Sequence, residues 1–246
     1  MIIKTEGIVL KHFDFRETSR IVTFFTKDHG KMKGILKGIR KDHRKFGSQA
    51  DKFSVNDIVY YQYRNSDLHL VSQCDLKSFF FKIRKDLKKT LAASYILELV
   101  DYIMPPEEKN EDVYRLMNDY LTSLELALDI SKLVHIFQIK ILLFSGFRPY
   151  LDSCLECGQK IKEKARFNLH KGGLMCDRCH MPQHESTLIS HGAIASILHI
   201  EKSSWEYCLR LTFTDAIKKE LKYILNNFLV FHLERHVKSA RYLGKI

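Results

Sequence analysis

Two pairs of cysteines constrain this chain more than any other feature. Cys154-Leu-Glu-Cys157 and Cys176-Asp-Arg-Cys179 stand 18 residues apart, a spacing that matches a four-thiolate zinc site built from two knuckles. Each knuckle places two sulfurs on one side of a tight turn. The residues between them can fold back as a hairpin through Lys171-Gly172-Gly173 and lay the second pair on the first. Four thiolates close a tetrahedron and leave no open position, so such a zinc ion is structural. Its binding energy, on the order of 10 kcal/mol, would hold up a module too small to fold alone. Reduced or redox-active pairs are the alternative. A redox pair belongs at a helix start after a strand, and neither knuckle is placed that way. His170, His180 and His184 lie nearby and read as surface histidines, with replacement of one cysteine by His180 as a second possibility. Cys74 and Cys208 sit in apolar or strand-like surroundings and read as buried thiols.

Charge divides the 246 residues unevenly. Residues 1–90 hold 20 Lys/Arg against 10 Asp/Glu, while residues 91–246 hold 20 against 19. Almost all of the net +11 therefore belongs to the N-terminal third. Its densest part is Lys27–Lys45, KDHGKMKGILKGIRKDHRK, with eight Lys/Arg against Asp28 and Asp42. A run of this kind is a surface for a polyanion or a solvated charged loop. Nucleic acid is the commonest partner of such charge. A membrane surface is the rival, but basic residues scattered along strands do not make an anchoring helix. The opening Met-Ile-Ile-Lys-Thr-Glu lacks the apolar core of a secretory signal, and Leu133–Phe144 is interrupted by His135, Gln138 and Lys140. The expectation is a cytoplasmic protein whose cysteines are reduced or metal-bound.

The hydrophobic period changes near residue 80. Before it, short β-branched and aromatic runs predict five strands: one from Ile3, Arg20–Thr26, Lys31–Ile39, Ile58–Tyr63 and Leu68–Leu76. Arg40–Phe53 has no periodicity and reads as a long basic loop. Five strands with such a connection fit a small barrel, OB-like in the first instance, with an SH3-like barrel as the alternative. After Phe79, helical spacing of Ile83, Leu87, Leu91, Tyr95, Leu99 and Tyr102 predicts a helix stopped by Pro105-Pro106. Asn110–Leu128 is a second helix. Ser131 is the expected N-cap of Lys132–Phe144, which is apolar nearly all round and suits the centre of a bundle. Ser190 caps a short helix through Ile200, and Asp215–Tyr242 reads as one long final helix. The fold class is thus α+β and multidomain. An OB-like nucleic-acid-binding barrel (1–80) precedes a helical domain (81–151 and 184–246) that carries a four-cysteine zinc module (152–183).

Motifs for covalent chemistry are absent from the sequence. There is no Walker-type loop, no Gly-x-Ser-x-Gly elbow and no His-Glu-x-x-His. Carboxylates in residues 1–90 do not cluster as a metal-ion nuclease requires. His232 and His236 are four apart, but His232 falls on the apolar stripe and reads as a core histidine. The chain reads as a binding protein, not an enzyme.

Two stretches carry a family resemblance. Glu6-Gly7-Ile8-Val9-Leu10, then Glu17–Lys31 (ETSRIVTFFTKDHGK) and Leu36-Lys37-Gly38-Ile39-Arg40-Lys41 resemble the opening of the bacterial recombination mediator family RecO. Gly146–Gly158, GFRPYLDSCLECG, resembles the approach to that family's zinc knuckle. Leu36 stands where the family usually has a small residue, and Ser19 where it favours Asp. The resemblance implies an N-terminal OB fold, a helical domain and a zinc-bearing insertion. It implies binding of single- and double-stranded DNA and annealing of complementary strands. It also implies loading of the RecA recombinase, together with RecR, onto DNA coated by single-stranded DNA-binding protein, without ATP. Localisation would be cytoplasmic and nucleoid-associated.

On this reading Lys33, Lys37, Arg40, Lys41, Arg44 and Lys45 track phosphates, with Arg20 as a further candidate. Six such contacts predict a salt slope near −4 for single strands, from about 0.7 per phosphate. Phe13, Phe15 and Phe46 are either base-stacking rings or barrel residues. The zinc ligands are Cys154, Cys157, Cys176 and Cys179. The acidic, apolar-ended tail of the single-stranded DNA-binding protein would need an apolar pocket edged by Lys/Arg, expected in the helical domain. Two other classes remain: a general RNA-binding zinc-ribbon protein, and a non-enzymatic adaptor that docks an acidic partner.

Overall fold

Alternation along the first strand shows how the N-terminal part closes. In β1 (Ile2–Phe15) Ile3 and Thr5 are buried while Ile2 and Lys4 face out. The pairing with β2 (Ser19–Thr26) shifts register between Val9 and Lys11, a bulge that bends β1. The bend lets one long strand serve two neighbours: Ile2–Ile8 pair with β4 (Val55–Tyr61), and Gly7–Phe15 pair with β2. β3 (Gly30–Leu36) pairs antiparallel with β2 and parallel with β5 (Leu68–Ser78). The result is a closed barrel in the order β1-β2-β3-β5-β4, which bears out the OB-like expectation. Closure depends on Gly34, opposite His69, where a Cβ would lie 2.4 Å from Val71 Cγ2. The computed structural model describes residues 1–41, 46, 49–161, 165–181, 186–234 and 236–245.

The barrel core contains Val9, Val22, Phe24, Met32, Leu36, Ile58, Tyr60 and Val71, with Ile39, Phe46 and Ala50 from the β3–β4 connection. That connection is a basic loop on the sequence, yet its apolar residues close over the barrel. Phe46 is only 4 % exposed, so it belongs to the core and is not a base-stacking ring.

The helix expected from residue 79 onwards is two helices, α1 (Phe81–Lys85) and α2 (Leu87–Ile103). Asp86 breaks them with an extended backbone and caps α2, its carboxylate accepting from Lys89 N. α3 (Glu111–Leu126) is capped by Asn110. Residues 1–127 and 239–246 form one compact unit, and residues 128–238 another.

The second unit is built around α4 (Ile130–Phe144), buried on nearly every side as its composition predicts. Its N-cap is Asp129, not Ser131. The Asp129 carboxylate accepts from Lys132 N at 2.9 Å and from Lys218 Nζ at 2.7 Å, partners that together outcompete a hydroxyl two residues on. Two polar side chains of α4 reach partners inside: Gln138 Nε2 donates to Asn226 Oδ1, and Lys140 Nζ donates to the carbonyls of Glu201 and Ser203. The same unit contains a sheet of β6 (Ala165–Asn168), β7 (Gly173–Cys176) and β8 (Ser186–Ile189), and the helices α5 (His191–Lys202), α6 (Trp205–Leu209) and α7 (Asp215–Leu233), of which α5 and α7 pack on α4. Ser190 caps α5 as expected. α7 stops well short of Tyr242: Glu234 takes a left-handed backbone, φ 49°. A 3₁₀ turn over Lys238–Lys245 follows, with Ser239 N donating to Glu98 of α2. Among the described residues no helix is long and apolar enough to cross a membrane.

Candidate metal centre and nucleic-acid interface

The four cysteines converge. Cys154 and Cys157 flank a turn closed by Gly158 N donating to the Cys154 carbonyl at 2.9 Å. Gly158 has φ +69°, a conformation that a side chain disfavours. Cys176 ends β7, and the second turn is closed by Cys179 N donating to the Cys176 carbonyl at 3.1 Å. The β6–β7 hairpin turns between Asn168 and Gly173 and carries the second knuckle to the first, as the glycine pair predicts. The four sulfurs all lie within 4.8 Å of one another, with Cys157 Sγ 3.9 Å from Cys176 Sγ. A tetrahedron with metal–sulfur bonds of about 2.3 Å has sulfur–sulfur edges of about 3.8 Å, so the cluster can hold a metal ion with little adjustment.

Electrostatics favour a cation there. Burial pushes the Cys154 thiol up, but N–H groups of Cys157, Cys176 and Glu156 outweigh it and bring it down to about 6. Hydrogen bonding to Cys176 and Cys157 pushes Cys179 up to about 12, because four sulfurs this close cannot all be anionic alone. A bound divalent cation removes that repulsion. Around the cluster, Lys171 pairs with Glu156, Arg166 with Asp177, and Arg178 donates to Gln159. His180 hydrogen-bonds Ser186 and His170 packs edge-on against Phe231, so neither joins the sulfurs. Cys74 and Cys208 are buried thiols, as expected. The hairpin is seated on α7, where Phe167 meets Phe228 and Phe228 meets His232 at 4.1 Å. His232 is thus an aromatic-packed residue, and its burial lowers its basicity.

The cationic residues of the N-terminal unit divide into two sets. Lys33, Lys37, Arg40 and Lys41 are exposed along β3 and the start of the β3–β4 connection. Lys33 lies 3.2 Å from Asp67, a pair exposed on both sides and therefore weak. Arg40 reaches Asp14 at 3.3 Å and the Arg16 carbonyl at 3.2 Å, holding the end of β3 against the β1–β2 turn. Arg20 is different: its side chain is 15 % exposed, Nε bonds Asp14, and Nη1 bonds the Gln49 carbonyl and Asp51. It ties the loop to the barrel. Lys31, in the same run, bonds Asp101 of α2. Arg44 and Lys45 lie outside the described residues. Of the aromatic candidates, Phe13 is 53 % exposed and Phe15 half-buried beneath Arg16. Beside the barrel core, a pocket of about 100 Å³ is lined by His29, Tyr60, His69 and Glu107. The sequence pattern does not single out His69, which is buried by its pairing opposite Gly34.

Comparison with known proteins agrees with this architecture. Residues 1–80 match the family described as Recombination protein O N terminal, and residues 84–241 match Recombination protein O C terminal. The chain belongs to the RecO family. It is 31 % identical to the DNA repair protein RecO of Syntrophus aciditrophicus (strain SB), over 99 % of this chain and 95 % of the relative. The proteins of the same name from Caldanaerobacter subterraneus subsp. tengcongensis and Moorella thermoacetica are 30 % and 28 % identical. They cover 99 % and 100 % of this chain, and the alignments span 98 % and 91 % of those relatives. The barrel of this RecO-family chain is the part matched by the N-terminal family region, and its cysteine cluster lies in the C-terminal one.

Proposed function

We propose that this chain is a non-catalytic DNA repair and recombination mediator. It binds single- and double-stranded DNA, anneals complementary strands and, with RecR, helps load RecA onto DNA coated by single-stranded DNA-binding protein. The observation that carries this reading is the row of exposed cations, Lys33, Lys37, Arg40 and Lys41, on the closed barrel of a RecO-family chain. Cations that touch phosphates give affinity without sequence choice, as a protein acting at any gap requires. Annealing needs two polyanions brought together with their repulsion screened, and this surface supplies the screening. The metal of the cysteine cluster is zinc, held by Cys154, Cys157, Cys176 and Cys179, and its role is to fasten the β6–β7 hairpin. The partner's acidic tail is received by the helical part. The protein works in the cytoplasm, at the nucleoid.

The test is annealing without ATP. Two complementary oligonucleotides, each coated with cognate single-stranded DNA-binding protein, are mixed with the wild-type chain or with a variant carrying Lys37, Arg40 and Lys41 changed to Ala. Annealing that is rapid with the wild type and lost with the variant is the expected result. Absence of annealing by the wild type overturns the mediator reading, and preference for RNA in direct competition moves the chain to the RNA-binding class.

A further inference from the structure

The barrel surface does not account for a second concentration of charge. Lys77–Lys89, KSFFFKIRKDLKK, holds six Lys/Arg, Lys77 included, and one acid, Asp86, with three consecutive phenylalanines inside it. Two of the cations and the acid have internal tasks: Lys77 pairs with Glu6, Lys89 donates to the Glu125 carbonyl, and Asp86 caps α2. The Glu125 carboxylate is the other acid close by, accepting from the backbone N–H of Lys82 at 3.0 Å.

Arg84 is half-buried and donates to the Phe79 carbonyl, while two of the rings and three lysines face water. Phe81 is 56 % exposed and Phe79 36 %, while Phe80 is turned inward at 8 %. Lys82, Lys85 and Lys88 are exposed on α1 and the first turn of α2. The Arg84 guanidinium lies 3.8 Å from the centroid of Phe79 and 5.4 Å from that of Phe53, and Lys85 Nζ lies 4.4 Å from that of Phe81. Leaving an aromatic ring in water is unfavourable, and placing two of them among cations at a five-residue helix gives nothing to the barrel core.

This cluster is continuous with the barrel surface. Arg84 donates to the Lys52 carbonyl at 2.5 Å, and Arg20 donates to the Gln49 carbonyl and to Asp51 in the same short segment. Arg20 shares Asp14 with Arg40. A path therefore runs from Lys37, Arg40 and Lys41 across the exposed Lys52 to Phe79, Phe81, Lys82 and Lys85. Cations along a path fit phosphates, and exposed rings interleaved with them fit unstacked bases.

We infer that Phe79 and Phe81, with Lys82, Lys85 and Lys88, form a second single-stranded nucleic-acid segment in which bases stack on α1 after the strand leaves the barrel. The inference rests on the DNA-binding reading above and adds a site to it. A duplex keeps its bases stacked and gains only from the lysines, so this segment favours single strands.

The test uses the full chain and fluorescence anisotropy with oligonucleotides of about 8 and about 25 nucleotides, lengths chosen from the ~4–16 nucleotides that one OB fold covers. The variant Phe81→Ala with Lys82→Ala and Lys85→Ala is expected to lose at least about five-fold in affinity for the long oligonucleotide, from the loss of one stacked base. It should keep the wild-type affinity for the short one. The barrel variant Lys37→Ala, Arg40→Ala and Lys41→Ala should lose affinity for both. Phe81→Trp reads stacking directly: quenching of the new indole emission by the long oligonucleotide and not by the short one is expected. Unchanged long-strand binding in the α1 variant, with binding lost in the barrel variant, overturns the second segment and leaves the barrel site standing. Failure of the wild type to bind either oligonucleotide overturns both. Quenching of Phe81→Trp by an acidic peptide with an apolar end, and not by DNA, overturns the inference in favour of a peptide site.

Discussion

Tyr114 donates its phenolic proton to Glu6 Oε1 at 2.6 Å, joining residues 108 apart and tying α3 to the first barrel strand. Lys77 of β5 holds the other carboxylate oxygen. Burial pushes the Glu6 carboxyl up, but the hydrogen bonds from Lys77 and Tyr114 outweigh it, so its acidity is greater than usual. Tyr114 is shifted upward by burial and by the same bond, and it stays protonated. Tyr114→Phe should therefore cost about 1–3 kcal/mol, the range for a partly buried bond to a charged group. Urea unfolding checks this. Because the Glu6 carboxyl is depressed in the folded state, its contribution is complete above the unfolded-state value and is lost as pH falls through the folded one. Glu6→Gln should flatten the acid limb of the stability curve and leave the alkaline limb unchanged.

His135 predicts a second pH dependence, from inside α4. It is 3 % exposed, and its Nδ1 has no hydrogen-bond partner among the described residues. Burial lowers its basicity from the usual 6.5 to about 4, with Lys222 and Lys218 adding repulsion against the Asp129 carboxylate. The unfolded chain thus binds a proton that the folded chain refuses between those values. Stability falls as pH drops from about 6.5 to about 4, by on the order of 3 kcal/mol from this group alone. Denaturant midpoints at several pH values should show the loss, and His135→Leu should remove most of it. An unchanged profile in that variant would refute the assignment.

Gly34 gives a prediction about barrel closure. A Cβ added there would meet Val71 Cγ2 at 2.4 Å; Gly34 pairs across the parallel β3–β5 seam, and Val71 follows that seam in β5. Gly34→Ala should destabilise the barrel by about 1–3 kcal/mol, as overpacking of a tight interior does. Gly34→Ala combined with Val71→Ala should recover part of the loss, since the clash is with a side chain. A double variant no better than the single one would place the strain elsewhere.

How much of this was legible beforehand differs from residue to residue. The cysteine cluster was, because ligand spacing is a local property and the glycine pair marks the hairpin that completes it. The barrel was, because its strands are short runs rich in β-branched and aromatic residues. Phe46 and Ala50 were not: they lie in a stretch with no period, and their burial comes from where the barrel places its open end. Arg20 looked like one more surface cation because its partners, Asp51 and the Gln49 carbonyl, are about thirty residues away. The end of α7 at Glu234 carries no glycine or proline to announce it. Asp129 and Ser131 are both good caps, and the choice between them was made by Lys218, 89 residues further on from Asp129.

Metal removal should affect the two compact units differently. Chelation, or Cys157→Ser with Cys176→Ser, removes the tie between the knuckles, whose four cysteines all belong to the unit of residues 128–238. Released metal titrated with a chromophoric chelator should amount to about one zinc per chain, for a closed four-thiolate site. Hydrogen exchange should then rise in β6, β7 and the facing part of α7, where Phe228 and His232 hold the hairpin, and stay unchanged in the barrel. Uniform acceleration through both units would mean that the metal does more than fasten the hairpin.

Salt dependence distinguishes cations that meet phosphate from cations that hold the fold. The four described, exposed candidates Lys33, Lys37, Arg40 and Lys41 should give a slope of log K against log salt near −3 for single strands, at about 0.7 per contact. A steeper slope would assign further contacts to Arg44, Lys45 or α1. Arg20→Ala should behave differently from Lys37→Ala. Its guanidinium is bonded to Asp14, Asp51 and the Gln49 carbonyl, so its loss should lower the unfolding midpoint and change the slope little. Lys37→Ala, at an exposed position, should lower the magnitude of the slope by about 0.7 and move the midpoint less than Arg20→Ala does. If the two variants exchange these behaviours, Arg20 is the phosphate ligand and the ion pairs around it yield to DNA.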